Sequence, residues 1–309
     1  MKKDLVSMFD LSQDEIQQLI YKAIDLKDEL KFEPKLSYLN GKILALVFEK
    51  PSLRTRVSFE VAIRQLGGSA VYLSQADIGL GKREAIADIA RNLSLWVHGI
   101  CARTFSHQTV VELAKYSSIP VINALSDLDH PCQALADFLT IYNRKGKLAG
   151  VNLAWVGDGN NVCNALMIGA AKLGINMKIA TPKGYEPKPE IVQKAMQLAK
   201  QSNAKITLTN NPQEAVKDSE FIYTDTWTSM GQEHEAEKRA VVFKDFQLNK
   251  QLLKNAPKLH YIMHCLPAHR GQEITDEVLD GPNSIVLEQA ENRLNIQRAV
   301  LLSLMSKQK

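Results

Sequence analysis

Ile43-Leu44-Ala45-Leu46-Val47-Phe48-Glu49-Lys50-Pro51-Ser52-Leu53-Arg54-Thr55-Arg56 joins an apolar run to a helical pattern through a short polar turn. The run Ile43–Phe48 reads as a buried strand. Beyond the turn, Phe59, Ala62, Ile63 and Leu66 recur at the spacing of one helix face, and Gly67-Gly68 closes that stripe. Ser52 therefore stands at a strand-to-helix turn as an N-cap, with unpaired backbone N–H groups just after it. Those donors, the helix dipole, two hydroxyls and the guanidinium groups of Arg54 and Arg56 would converge into a socket for a phosphate dianion. The plainer alternative is a capped helix whose two arginines lie in water.

The pattern repeats outward. Asp10-Leu11-Ser12 with Glu15 reads as a helix start, continued by Ile16, Leu19, Ile20 and Ala23. Strand-like runs at Ala70–Leu73, Gly99–Ala102 and Val121–Ala124 are each separated by a helical pattern, which predicts a parallel α/β sheet. A polar stretch, Asn143-Arg144-Lys145-Gly146-Lys147, reads as a hinge, and a second series follows: Leu153–Val156, Met177–Ala180, Ile206–Thr209, Glu220–Tyr223 and Leu259–Met263. The prediction is an α/β protein of two domains, each with a central, mostly parallel sheet flanked by helices. One spans 1–142 and is completed by a C-terminal helix at 288–309; the other spans 150–287. The polar, unusual residues cluster just after strands, where open α/β sheets bind ligands, and two such sheets facing one another would make a cleft.

A chain of 309 residues, 45% hydrophobic and 23% charged, has the profile of a soluble globular protein. The formal net charge of +4 comes without a dense Lys/Arg run, which speaks against nucleic acid as a partner. No run reaches membrane-spanning length, and the N-terminus shows no signal-peptide pattern. The four cysteines lie far apart with no C-x-x-C pair, as reduced thiols of a cytoplasmic protein would.

Further polar residues sit at predicted strand ends. Arg103 ends one strand. Asp129-His130-Pro131-Cys132-Gln133 opens an apolar helix, with Pro131 suited to its first turn and His130 and Gln133 able to donate to an oxygen; a structural histidine is the alternative. Gly157-Asp158-Gly159-Asn160-Asn161 is half of a dinucleotide fingerprint, but Val162 occupies the place of the third glycine. Asn161, at a helix start, could bind a carboxylate. Asp225-Thr226-Trp227-Thr228-Ser229-Met230-Gly231 offers an acid for an ammonium ligand on a loop able to move, or is simply solvated. In His264-Cys265-Leu266-Pro267-Ala268-His269-Arg270 the histidines are five apart with no carboxylate at metal spacing, so no metal is expected. Cys265 is a nucleophile or a polar contact to a bound amine.

Taken in order, S-x-R-T-R, R-T, H-P-C-Q, D-x-W-x-S-M-G, H-C-L-P and Glu291-Asn292-Arg293 resemble the aspartate/ornithine carbamoyltransferase family over essentially the whole chain, and its ornithine branch in particular. The resemblance implies transfer of the carbamoyl group of carbamoyl phosphate to the δ-amine of L-ornithine, with no cofactor and no metal. It implies phosphate contacts from Ser52, Leu53 (by its backbone), Arg54, Thr55 and Arg103, and a carbonyl polarised by Thr55, Arg103 and His130. Pro131, Cys132, Gln133 and Arg293 complete the carbamoyl phosphate set, with Gln133 on the carbamoyl amine. L-ornithine would meet Asn161, Asp225, Ser229 and Met230, while Cys265 and Leu266 bridge both substrates. The catalytic set is Arg54, Thr55, Arg103, His130 and Cys265. The resemblance also implies a homotrimer with sites at subunit boundaries, in arginine biosynthesis or its reverse.

The chain departs from the pattern twice. Leu53 replaces a threonine common in the family, though its backbone N–H survives. Gly79, in a stretch that resembles a loop reaching a neighbouring subunit, stands where many relatives carry glutamine.

Overall fold

Residues 2–33, 35–229 and 231–306 are described in a computed structural model of the chain. The chain divides into two compact units, Met1–Ala136 with Asn292–Lys309, and Asp137–Glu291.

The first unit carries four parallel strands: β1 (Ile43–Phe48), β2 (Ser69–Ser74), β3 (Gly99–Arg103) and β4 (Val121–Leu125), in the order β2-β1-β3-β4. All but the first residue of β1 are buried, as a strand covered on both faces requires. One layer of the core joins Ala45, Val47, Ile100, Ala102 and Val121 to Ile89, Leu93, Val110 and Leu113 from the helices Ile86–Trp96 and His107–Tyr116. The opening helix is Gln13–Phe32; Ser12 caps it and exchanges hydrogen bonds with Glu15, the reciprocal pair read from the sequence.

The second unit holds β5 (Asn152–Val156), β6 (Asn176–Ala180), β7 (Ile206–Thr209), β8 (Phe221–Thr224) and β9 (Tyr261–His264), all parallel, in the order β7-β6-β5-β8-β9. Ala154, Val156, Ile222 and Ile262 anchor its core against Phe243, Phe246, Leu248 and Val278. Two helices, Pro131–Lys145 and Val286–Met305, contain the points where the chain passes from one unit to the other.

The architecture is therefore the expected one: two parallel sheets flanked by helices. One local expectation is corrected. Asn143, Arg144 and Lys145 do not interrupt the pattern, because the helix Pro131–Lys145 runs through them. Gly146, at φ 68, ends it in the left-handed region that favours glycine. Among the described residues no helix is long and apolar enough to cross a membrane.

Candidate active site

In the first unit, register sets the site. Phe48 pairs with Arg103 across β1 and β3, and Arg103 pairs with Leu125 across a shift that begins after Ala102. The loops leaving these strands are stitched together: Glu49 N–H donates to Arg103 O (2.9 Å), and the Glu49 carboxylate accepts from Phe105 N–H (2.7 Å).

Ser52 caps the helix Leu53–Gln65, its Oγ accepting from Thr55 N–H at 3.3 Å. Thr55 is buried, and its Oγ1 receives two guanidinium groups, Arg103 Nη1 and Arg293 Nη2, each at 3.4 Å. Arg293 Nη1 donates to Gln133 Oε1 at 2.5 Å. A turn, a strand end and two helices thus meet on one hydroxyl. Arg54 is half-buried in the first turn. Leu53 is 74% exposed, so its side chain leaves the turn while its backbone stays in it.

Arg56 does not join this group, which corrects the convergence of two guanidinium groups read from the sequence. Its guanidinium lies 3.8 Å from the Tyr72 ring centroid and 3.9 Å from the Glu60 carboxylate. Positions two apart on a helix face away from one another, so Arg54 and Arg56 cannot share a side.

His130 is buried immediately before the helix Pro131–Lys145. Burial, with Arg293, Arg103 and Lys50 nearby, holds its pKa well below the usual imidazole value. It is a neutral imidazole at neutral pH, with one N–H to give. Cys132 turns the other way: its thiol reaches Asn123 O at 3.7 Å, and burial pushes its pKa up to about 12. Its side chain is structural. Lys50 escaped the sequence reading. It is 9% exposed, with Nζ 4.8 Å from the Phe105 ring centroid, and its place in the same turn as Ser52 was the only signal.

In the second unit the loops after β5, β8 and β9 meet on Asp225. Its Oδ2 accepts from Asn160 Nδ2 at 2.7 Å, and its Oδ1 accepts from Thr226 N–H (2.8 Å) and from the Cys265 thiol (2.9 Å). Asn160, missed from sequence, is also the helix cap, taking Val162 and Cys163 N–H on its Oδ1. Asn161 is the first residue of that helix, one place after the cap. Ser229 is half-buried, and its N–H meets Gln232 Oε1 at 3.2 Å. Met230 lies outside the described residues.

A second missed residue is Arg239, nearly buried, which donates to Trp227 O at 2.8 Å and pairs with Asp158 (3.2 Å) and Glu235 (2.9 Å). It ties the loop after β5 to the loop after β8. The glycines beside Asp158 serve packing: a Cβ at Gly159 would meet Pro187 N at 2.3 Å and Glu186 C at 2.5 Å. Protein backbone fills the space that a dinucleotide fingerprint keeps for pyrophosphate.

His264 is buried and engaged inside its unit. Its Nδ1 accepts Leu266 N–H at 2.9 Å, which leaves the proton on Nε2 to meet the buried Glu273 carboxylate at 3.0 Å. Leu266, at φ 58, is held by that bond in a region L-residues rarely adopt. The sequence reading that no carboxylate stands at metal spacing is also corrected. Asp225, His264 and Cys265 bring potential ligand atoms within 4.8 Å of one another. The carboxylate arrives from another strand, which spacing within one motif cannot reveal. A cavity of about 350 Å3, lined by Lys250, Leu253, Ile262 and Val278 among others, holds none of the site residues named above.

Comparison with known proteins agrees along the full length. Residues 3–143 match the model of the carbamoyl-P binding domain of aspartate/ornithine carbamoyltransferases, and residues 149–304 match that of the Asp/Orn binding domain. The chain is 52% identical to an ornithine carbamoyltransferase of Anoxybacillus flavithermus, over 98% of this chain and 96% of that one. It is 53% identical to one of Methanosarcina acetivorans, over 99% and 100%. The solved ornithine carbamoyltransferase of Pyrococcus furiosus superposes with a TM-score of 0.96 at 51% identity, covering 99% of this chain and 98% of that one. With both of its halves matched in order and its polar strand ends in place, the chain belongs to the aspartate/ornithine carbamoyltransferase family.

Proposed function

We infer that the chain transfers the carbamoyl group of carbamoyl phosphate to the δ-amine of L-ornithine, giving L-citrulline and phosphate. The observation that carries the reading is the meeting of Arg103 and Arg293 on Thr55 beside a helix N-terminus and a neutral His130, in a chain whose full-length relatives bear that activity's name. The first unit holds carbamoyl phosphate and the second holds L-ornithine.

Ser52, the Leu53 backbone, Arg54, Thr55 and Arg103 take the phosphate, as the capped first turn and the adjacent cations suit a dianion. Thr55, Arg103 and His130 point donors at the carbonyl oxygen. Gln133, with Pro131 and Cys132 at the start of its helix, takes the carbamoyl amine, with its Oε1 held in place by Arg293. Asp225 takes an ornithine ammonium, Asn161 its carboxylate, and Ser229 and Met230 the rest of the amino acid. Cys265 and Leu266 belong to both substrates.

The reaction begins when the δ-ammonium of bound ornithine loses its proton to solvent. The nitrogen lone pair attacks the carbamoyl carbon, and the carbonyl oxygen becomes an oxyanion that the fixed donors stabilise, usually the largest catalytic contribution. The C–O bond to phosphate then breaks. Phosphate takes up the proton that the attacking nitrogen releases, so no covalent enzyme intermediate is needed, and the Cys265 thiol, already given to Asp225, positions rather than attacks.

Assembly as a homotrimer goes with this reading. Exposed Leu53, Val57 and Val71 on the helix Leu53–Gln65 and the edge strand β2 support a self-associating face. Four free thiols support a reducing, cytoplasmic setting, and the citrulline product suits a role in arginine biosynthesis. A citrulline assay with carbamoyl phosphate and ornithine, putrescine or an acylated ornithine tests the activity. Product with ornithine at least about a hundredfold faster than with the others is expected. Equal rates with putrescine, or no product at all, would overturn the assignment.

A further inference from the structure

The N-terminal segment lies outside every motif above, yet it is wired to the loop that carries His130. Leu5 joins the sheet edge: its N–H donates to Val121 O (2.9 Å) and its carbonyl accepts Asn123 N–H (2.8 Å). Asp4 Oδ1 accepts Val121 N–H at 2.8 Å, and Asn123 Nδ2 donates to Val6 O at 2.8 Å. The next two residues reach past β4 to Asp129. Ser7 Oγ donates to Asp129 Oδ2 at 2.5 Å, and Met8 N–H donates to the same oxygen at 3.0 Å.

Ser7 is itself braced. Asp10 accepts the Ser7 N–H, while Ser7 Oγ caps Phe9 N–H, a reciprocal capping box around the turn Met8–Asp10. On the far side, Asp127 N–H donates to Phe105 O (3.1 Å) and its carboxylate takes His107 N–H (2.7 Å). The loop 126–129 is gripped from both sides, and His130 is the next residue.

A buried carboxylate is a costly way to join two loops. Asp129 is 3% exposed, and its Oδ1 has no hydrogen-bond partner among the described residues. Burial raises its pKa to about 7. An apolar contact would hold the chain end with less penalty, but it would not fix a direction. Two donors on one carboxylate oxygen orient the Asp129 side chain, and with it the peptide that leads into the imidazole.

We propose that the segment Leu5–Met8 is a strap that aims His130 at the carbonyl oxygen, with Ser7 as a positioning residue acting through Asp129. The proposal rests on the reading of His130 as a carbonyl donor, and misaiming such a donor lowers turnover more than binding.

The test is a double-mutant cycle in the full-length protein. Ser7→Ala should lower kcat about tenfold and leave the ornithine KM and the inhibition constant of inorganic phosphate within about twofold, because the phosphate socket is untouched. Ser7→Thr, which keeps the hydroxyl, should recover most of the loss. In a His130→Ala background, Ser7→Ala should change kcat less than about twofold. A full tenfold loss in that background, or a phosphate constant that weakens in step with kcat, would show a general structural effect and overturn the strap. If His130→Ala lowers kcat and Ser7→Ala does not, the strap alone fails. If His130→Ala leaves kcat unchanged, the carbonyl assignment fails and takes the strap with it. Should Ser7→Ala not fold, the test runs from Asp129: Asp129→Asn keeps an acceptor oxygen and should lose less than about threefold, whereas Asp129→Ala should lose about tenfold. Equal losses in both would overturn the proposal.

Discussion

Asp225→Asn is the sharpest probe of the second unit, because the geometry sets its cost. Three donors converge on the carboxylate: Asn160 Nδ2 on one oxygen, Thr226 N–H and the Cys265 thiol on the other. An asparagine can keep its oxygen on the Thr226 side, which turns its NH2 toward the Asn160 NH2. Those two donors repel. Asn160 cannot flip its amide without taking its oxygen from Val162 and Cys163 N–H, and losing such a cap costs about 0.5–2 kcal/mol. The substitution also removes the charge that would meet an ornithine ammonium. A hydrogen bond to a charged group is worth about 1.5–3 kcal/mol, or roughly 10- to 150-fold in affinity. Steady-state kinetics with each substrate varied in turn should therefore show the ornithine KM raised by about that factor, with the phosphate inhibition constant within about twofold. A thermal melt reports the cap loss separately. An ornithine KM within about twofold of the parent would refute the ammonium role, whatever happened to kcat.

Arg54→Ala should lower kcat/KM for carbamoyl phosphate by about 10²–10³, the loss seen when one preorganised donor is removed; near-normal turnover would reject the socket. Cys265→Ser should retain measurable turnover, since a hydroxyl can also donate to Asp225, and rapid quenching should trap no acyl-thioester on the parent enzyme; a trapped thioester would establish covalent catalysis. Burial raises the Asp129 pKa to about 7, above its unfolded value near 3.8, so the native state binds the extra proton. The stability linked to that proton is present below about pH 4 and lost as pH rises through about 7, amounting to roughly 4 kcal/mol at most. Urea unfolding at pH 5 and pH 8 should show less of this loss in Asp129→Asn; an identical pH dependence in both proteins would reject the buried-charge account. Because burial and three cations keep His130 neutral, kcat should rise with pH through the bound amine alone, and His130→Gln should keep the same acid limb.

Strands were the legible part of the fold, and the reason is burial on both faces. Leu44 to Phe48 are all buried, so β1 writes an unbroken apolar run into the sequence. The last strand shows where this rule weakens. The run Leu259–Met263 points to a start two residues before the observed one, because Leu259 is 68% exposed and lies outside β9. At the other end His264 belongs to the strand and is buried, which a polar side chain conceals until its partner Glu273 is known. In the first unit's site, Ser52, Thr55, Arg103, His130 and Gln133 could be singled out because each lies at a strand's carboxyl end or in the loop and first helical turn that follow it. The contacts on Asp225 could not. Asn160 and Cys265 lie 65 and 40 residues from it in sequence, and only the strand order β5-β8-β9 makes them neighbours. Arg239 was invisible for a related reason: its helix, Ala236–Val242, is short, and nothing local marks its arginine as buried against Trp227 O and Asp158.

Both units build their polar clusters with one device, loops at the carboxyl ends of adjacent parallel strands, but they load it with opposite charge. The first unit gathers Lys50, Arg103 and Arg293 around a capped helix N-terminus; the second turns three neutral donors onto one carboxylate. That division matches a dianion and an ammonium, and it constrains His130. An imidazolium among three cations would be repelled and would lose solvation, and both effects drive it to the neutral form. A fourth full charge there would also bind the acyl phosphate in the ground state as firmly as in the transition state, which gains no rate. A neutral N–H interacts weakly with a carbonyl and more strongly with the oxyanion it becomes. On this reading, the cations proposed for the substrate's phosphate also keep the histidine in the form whose interaction would grow along the reaction coordinate.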